Sequence, residues 1–272
     1  AISNIGCVSQ EALTVTGTDV VFLDDSGVRS LGRTIQEKSA PMGDMSVNVH
    51  TAITRLVQET TDKGTISLDY WPEESLIVVS FPDKSTAYTL DTRSLSPTGG
   101  SRMTKWDNCV HNRSTYVELA GGGSLILLAS NNYQGVLQYR GYQQWDKNAY
   151  VFRYSSPALT FGQPANLKFI KQIDYTCVST FSEGNATARW SFDYITPART
   201  RSLLVGATPP SKFGVAQYAV DTYGGAQATI KRYKVNAKGS GEALIIGINM
   251  DIDSNSFSLQ EVNIQTLLGR TM

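Results

Sequence analysis

Histidine is nearly absent. Two, His50 and His111, occur among 272 residues, and histidine is the side chain whose unperturbed charge changes near neutral pH. Neither has a second histidine at ligand spacing or a Gly-x-Ser-x-Gly elbow beside it, so zinc-type and serine-hydrolase chemistry has no foothold in the sequence. Cysteine is scarce as well. Cys7, Cys109 and Cys177 are far apart and odd in number, which excludes a CxxC metal or redox pair and full internal pairing; buried thiols are expected. Excess charge is missing: 24 Lys and Arg balance 24 Asp and Glu, and charged residues make up only 18%. A protein that grips nucleic acid by its phosphates carries clustered positive charge, and the sequence has no basic run. No apolar run approaches the ~20 residues of a membrane-spanning helix. The opening Ala1-Ile2-Ser3-Asn4 lacks an initiator Met and the basic start and apolar core of a signal peptide. Further sequence is expected ahead of it.

What the chain does have is turn chemistry between short apolar runs. Val20–Leu31 reads V-V-F-L-D-D-S-G-V-R-S-L: an apolar strand, an Asp-Asp-Ser-Gly turn and a return strand. Asp and Ser bond their own backbone at such a turn, and Gly27 takes positive φ without steric cost. Two looser copies follow at Ile77–Leu90 and Leu125–Tyr139. Their spacing of roughly 50–60 residues suits repeated four-stranded blades of a propeller-like structure. Within these hairpins Asp25, Gly27, Arg29 and Gly135 are the expected structural turn positions.

One helix is expected, over Ser46–Thr60. Val49, Ile53, Leu56 and Val57 recur at i, i+4, i+7 and i+8, and Asp44 or Ser46 is placed to cap it. Gln36–Gly43 reads as a polar loop. The Pro- and Gly-bearing stretch Pro157–Pro164 marks a domain boundary, giving blades over 1–156 and a second domain over 157–272. Beyond it, Leu167–Thr180, Ala188–Tyr194, Leu203–Val205, Thr229–Val235, Ala243–Asp251 and Ser256–Ile264 alternate without helical period, as in a β-sandwich. Pro209–Tyr223 reads as a long loop. The fold class is all-β: partial propeller-like blades with one inserted helix, followed by a β-sandwich.

Candidate chemistry is thin. Asp24-Asp25-Ser26-Gly27 resembles the Asp-box turn of sialidase-type propellers, S/T-x-D-x-G-x-x-W, but only Asp25 and Gly27 match, and such turns are structural. A glycosidase needs two carboxylates facing across a pocket; Glu73 and Glu74 are neighbours in a turn. Asp251-x-Asp253-x-Asn255 has the opening spacing of a calcium loop, but Ser256 stands at the sixth position and Val262 at the twelfth, so a polar hairpin turn is expected. Gly121-Gly122-Gly123-Ser124 has no following Lys and leads into a strand, unlike a phosphate loop. No cofactor, metal or catalytic residue is expected.

Several stretches together resemble the tail nozzle family of short-tailed bacteriophages, also called tail tubular protein B. The first runs from Ile5-Gly6-Cys7 through L-T-V-T-G-T-D-V-V-F-L-D-D-S-G-V-R-S-L, similar to that family's blade segment ending G-V-R-S-L. The second is Tyr150-x-Phe152 through Pro157-x-Leu159-x-Phe161-Gly162-x-Pro164 to Leu167-Lys168, similar to its exit from propeller to platform. The third is Phe257–Ile264 with Leu268-Gly269-Arg270, similar to its closing strand. Members are usually longer, so the likeness places this chain toward the C-terminal part of such a protein. The resemblance implies a homo-oligomeric ring, a hexamer, in the virion. It further implies contact with an adaptor (gatekeeper) ring above and with tail fibres or a needle, and passage of genomic DNA without specific binding or membrane insertion. A near-neutral chain suits sliding of a polyanion, because every phosphate contact is adhesive through counterion release. Tyr150–Tyr154 and Lys231–Val235 are the edge strands read as subunit contacts. The rival readings are a carbohydrate-binding propeller or lectin, stacking sugars on exposed Trp71, Trp106, Trp145 and Trp190, and a degenerate sialidase-like hydrolase.

Overall fold

Strands form wherever apolar and polar residues alternate, because successive side chains leave a strand on opposite faces. The computed structural model describes residues 6–17, 19–32, 35, 44–95, 100–107, 111–130, 135–139, 150–180, 184–194, 198–206, 229–253 and 255–271. The chain is mostly β, in several antiparallel sheets, and divides into two compact units, Ala1–Tyr139 and Arg140–Met272.

In the first unit β1 (Leu13–Thr16), β2 (Asp19–Asp24) and β3 (Gly27–Ser30) make one meander. Helix α1 (His50–Glu59) follows. Then β4 (Ser67–Trp71), β5 (Leu76–Phe81), β6 (Thr86–Leu95) and β7 (Ser101–Asp107) make a second meander. A third consists of β8 (Arg113–Glu118), β9 (Ser124–Ser130) and β10 (Gly135–Gln138). The three hairpins legible in the sequence are the pairs β2–β3, β5–β6 and β9–β10. Among the described residues, only the second meander has the four strands expected of each. The first gains a single extra rung, Arg29 to Asp44, along the outer side of β3.

The β4–β7 sheet packs on both faces, and its central strands β5 and β6 are buried on both. Leu68, Ile77, Val79, Phe81, Tyr88 and Leu90 join Val21, Leu23, Val28 and the α1 residues Ile53, Leu56 and Val57 in one cluster. On the opposite face Trp71, Val78 and Ala87 join Ile126 and Leu128 of β9. Strand parity thus sends alternate residues of one sheet into two cores, and each large side chain so buried contributes about 1.5–3 kcal/mol. Helix α1 carries the expected stripe, but neither Asp44 nor Ser46 caps it: its N-cap is Val49, with no side-chain cap bond, preceded by a turn of 3-10 helix over Val47–Val49. Asp44 and Ser46 are engaged with the β3 turn instead.

In the second unit β11 (Tyr150–Ser155), β12 (Asn166–Ser179), β13 (Gly184–Phe192), β14 (Arg199–Val205), β15 (Thr229–Val235), β16 (Ser240–Gly241), β17 (Leu244–Ile252) and β18 (Phe257–Thr271) form two sheets. One has the order β11-β17-β13-β14. In the other, β12 pairs with β15 and β16 on one side and with β18 along the opposite side. Ile170, Ile173, Tyr175 and Cys177 of β12 share a core with Ala186, Ala188, Trp190 and Phe192 of β13 and with Leu244, Ile246, Ile248 and Met250 of β17.

The boundary read at residue 157 is corrected by this pairing. Strand β11 is hydrogen-bonded to β17 from Tyr150–Ile252 to Ser155–Gly247, so residues 150–156 belong with the second unit. The Pro157–Pro164 stretch lies within that unit, where Leu159 bridges Leu244. Strand β18 also continues well past the expected end at Ile264. The loops read over Gln36–Gly43 and Pro209–Tyr223 lie outside the described residues.

Candidate functional site

The most elaborate polar arrangement belongs to the first hairpin. Its register sets Phe22 opposite Arg29 and Asp24 opposite Gly27, so Asp24 and Arg29 lie diagonally on the face away from Val21, Leu23 and Val28. Both are buried, at 6% and 4% exposure. Arg29 Nε lies 3.2 Å from Asp24 Oδ2, Arg29 Nη2 donates to Ser26 Oγ at 2.7 Å, and Ser26 Oγ donates to Asp24 Oδ2 at 2.5 Å. Burial alone pushes the Asp24 carboxyl up. The Ser26 hydroxyl, the Gly6 N–H and the Arg29 guanidinium outweigh it and hold the group below the ordinary carboxylate value.

Behind the turn, Asp44 Oδ1 accepts from Ser46 N at 2.7 Å and from Ser46 Oγ at 2.6 Å, while Oδ2 meets His50 Nδ1 at 2.8 Å. Ser46 Oγ in turn accepts the Val28 N–H at 3.1 Å. Gly27 fits between these groups. Its φ is +134°, and a Cβ there would stand 2.7 Å from Ser46 Oγ and 2.8 Å from Asp44 Oδ1. Of the four turn positions picked from sequence, Gly27 and Arg29 meet in this network. Asp25 does not: its side chain is 73% exposed and pairs with Lys63 at 2.6 Å. Gly135 begins β10 with open space around it. The residue that holds the turn is Asp24.

A second cluster joins the second and third meanders. Asp69 Oδ2 faces His111 Nε2 at 3.2 Å and accepts the Ser114 N–H at 3.1 Å. Trp71 Nε1 donates to Ser114 Oγ at 2.8 Å. Ser80 Oγ donates to the His111 carbonyl at 2.6 Å, so its hydroxyl is not aimed at the imidazole. His111 is fully buried, and its Nδ1 has no partner among the described residues. Among the described residues this Asp–His pair has the orienting half of a catalytic triad, with no hydroxyl at its outer nitrogen. The same cluster holds the aromatics: Trp71 lies 4.7 Å from Tyr139 and 5.9 Å from Trp106, centroid to centroid. Trp71 and Trp190 are buried in cores and present no ring face for a sugar; Trp106 packs with Trp71, and Trp145 lies outside the described residues.

Several polar groups elsewhere are likewise tied internally. Lys168 is fully buried, and its Nζ donates to the carbonyls of Glu242 at 2.5 Å, of Pro164 at 3.5 Å and of Gln163. Asp174, also buried, meets Arg232 Nη2 at 2.5 Å. In the calcium-like stretch Asn255 Nδ2 donates to the Asp253 carbonyl at 2.8 Å; the flanking strands β17 and β18 belong to different sheets, so the hairpin expected there is not formed. Glu73 accepts from Tyr116 at 3.4 Å. No group of three or more potential metal ligands occurs among the described residues.

Strand edges and outer faces are the remaining surfaces with distinctive chemistry. β11 and β14 edge one sheet, and β15 and β18 have no outer partner among the described strands of the other. Val151, Tyr154, Leu204, Ile230, Leu267 and Leu268 are exposed on these four strands. The strands read as contacts from sequence, Tyr150–Tyr154 and Lys231–Val235, are therefore edges. β18, the longest of the described strands, is an edge that its mixed composition did not single out. No protein-family model matches the chain, and no curated protein matches it.

Proposed function

We propose that the chain is a structural building block of a ring or tube: the nozzle of a short phage tail, located in the virion, stacking on an adaptor ring and offering docking surface to fibres or a needle. The observation that carries this reading is the succession of three antiparallel meanders in the first unit, the middle one packed on both faces. That is how consecutive blades of a propeller-like structure bury one another. The second unit, with two sheets on one core, is read as a sandwich platform. Exposed aliphatic residues on its edge strands suit lateral contact between copies, since an unpaired strand edge is a template for another chain. The segments ending G-V-R-S-L and L-L-G-R supply the likeness to tail nozzles in particular.

Negative-stain imaging of the purified chain, alone and with a tail adaptor, tests this. Rings with a central opening are expected. Isolated particles under all conditions, or saturable binding of glycans by the isolated chain, would overturn it.

A further inference from the structure

Formal neutrality of the whole chain hides a division of charge. The unit Ala1–Tyr139 contains 10 Lys and Arg against 15 Asp and Glu, and Arg140–Met272 contains 14 against 9, so a net −5 is followed by a net +5. A separation of this size between halves is a statement about partners rather than about fold.

The positive half has a defined place where it is free to act. In the sheet β11-β17-β13-β14, register aligns Arg153 with Asn249, Thr187 and Ser202 in one row, and Ser155 with Gly247, Arg189 and Thr200 in another. The inward rows hold Phe152, Met250, Ala186 and Leu203, so Arg153 and Arg189 project from the opposite, outer face. Both are exposed and form no ion pair among the described residues. Strand spacing and rise put their Cα atoms about 12 Å apart. Around them lie small hydroxyl and amide side chains, with exposed Val151 and Leu204 on the same face at its two edges. Unpaired arginines with flanking apolar groups on a flat surface are the composition of a protein–protein contact.

We propose that this outer face, with Arg153 and Arg189 at its centre, docks against the acidic unit of a second copy of the chain. The contact is head-to-tail, joining two different surfaces, and such contacts close into rings when the rotation allows. The proposal rests on the reading of the chain as a ring component and specifies which surface joins neighbours. Charge complementarity selects the occupant, because the acidic excess of one unit equals the basic excess of the other.

Sedimentation velocity of the full chain between about 0.05 and about 0.5 M salt tests the proposal, since screening over that range shortens the reach of exposed charges severalfold. Self-association is expected to weaken by about tenfold or more in the double variant R153E/R189E and to lose most of its salt dependence. The single variant Lys171→Glu, which alters an exposed charge of the other sheet, is expected to leave association unchanged, with thermal melts establishing that every variant is folded. Rings that persist in folded R153E/R189E would overturn this interface while leaving the ring reading in place. A chain that is monomeric at every salt and concentration would overturn both. If the double variant instead lost affinity for a short DNA duplex with self-association intact, the face would be a polyanion surface and the proposal would fail.

Discussion

Asp24 and Arg29 form a buried ion pair across the first hairpin, Nε to Oδ2 at 3.2 Å, with Ser26 Oγ hydrogen-bonded to both side chains. Removing one member of such a pair strands the other in a dry site and costs about 3–5 kcal/mol. Asp24→Asn is therefore expected to lower the urea midpoint sharply. Because the folded carboxyl titrates below its ordinary value of 3.8, its stabilisation is complete above that pH and drains away as pH falls through the folded value. A urea midpoint measured against pH should lose part of its acid limb in Asp24→Asn. An unchanged limb would remove Asp24 from the stabilising network.

Gly27 and Gly135 look alike in the sequence, each at a hairpin turn, and should behave in opposite ways. At Gly27, positive φ and the Ser46 and Asp44 oxygens leave no room for a methyl, so Gly27→Ala is expected to destabilise by about 2 kcal/mol or more. At Gly135 nothing lies within 4 Å of a new Cβ, and Gly135→Ala should be neutral or stabilising by up to about 1 kcal/mol. Thermal unfolding of the two variants side by side checks this, and equal effects would contradict the geometry.

Lys168 tests the second unit. Its buried ammonium donates to three backbone carbonyls. Lys168→Met keeps the stem volume and leaves those acceptors without their donor, at a cost of about 1–3 kcal/mol each where no water replaces it. Lys171→Met, on the exposed side of the same strand, should fall within about 0.5 kcal/mol of the parent. Chemical denaturation distinguishes the two.

Thiol reactivity should divide by burial. Desolvation pushes the Cys177 thiol up to about 11, and the thiolate is the reactive form. Cys177 should therefore resist alkylation in the native protein near pH 8, react only as pH approaches 11 or as the chain unfolds, and lag far behind exposed Cys7. Peptide mapping after timed alkylation reads this out. Rapid native labelling of Cys177 would contradict its place in the core.

Local features of the fold could be read from the sequence, and pairings between distant segments could not. Apolar runs on either side of polar turns located the hairpins β2–β3, β5–β6 and β9–β10, and the stripe Ile53, Leu56 and Val57 located α1. The pairing of β11 with β17 joins residues about a hundred positions apart, and the Pro157–Pro164 turn signals gave no hint of it. At the first turn, the sialidase-like spacing drew attention to Asp25. Strand parity is the signal that separates the two aspartates, because it turns Asp24 toward Arg29. Asp69 and His111 are 42 residues apart and carry no local pattern that links them. Whole-chain neutrality concealed the division of charge, which emerges only once the two units are delimited.

The most direct measurement is the mass of the intact assembly by native mass spectrometry at near-physiological salt. Six copies of the 29.7 kDa chain in one closed species are expected. A lone 29.7 kDa species at every concentration, with or without a tail adaptor, would contradict the assignment of this chain to a ring.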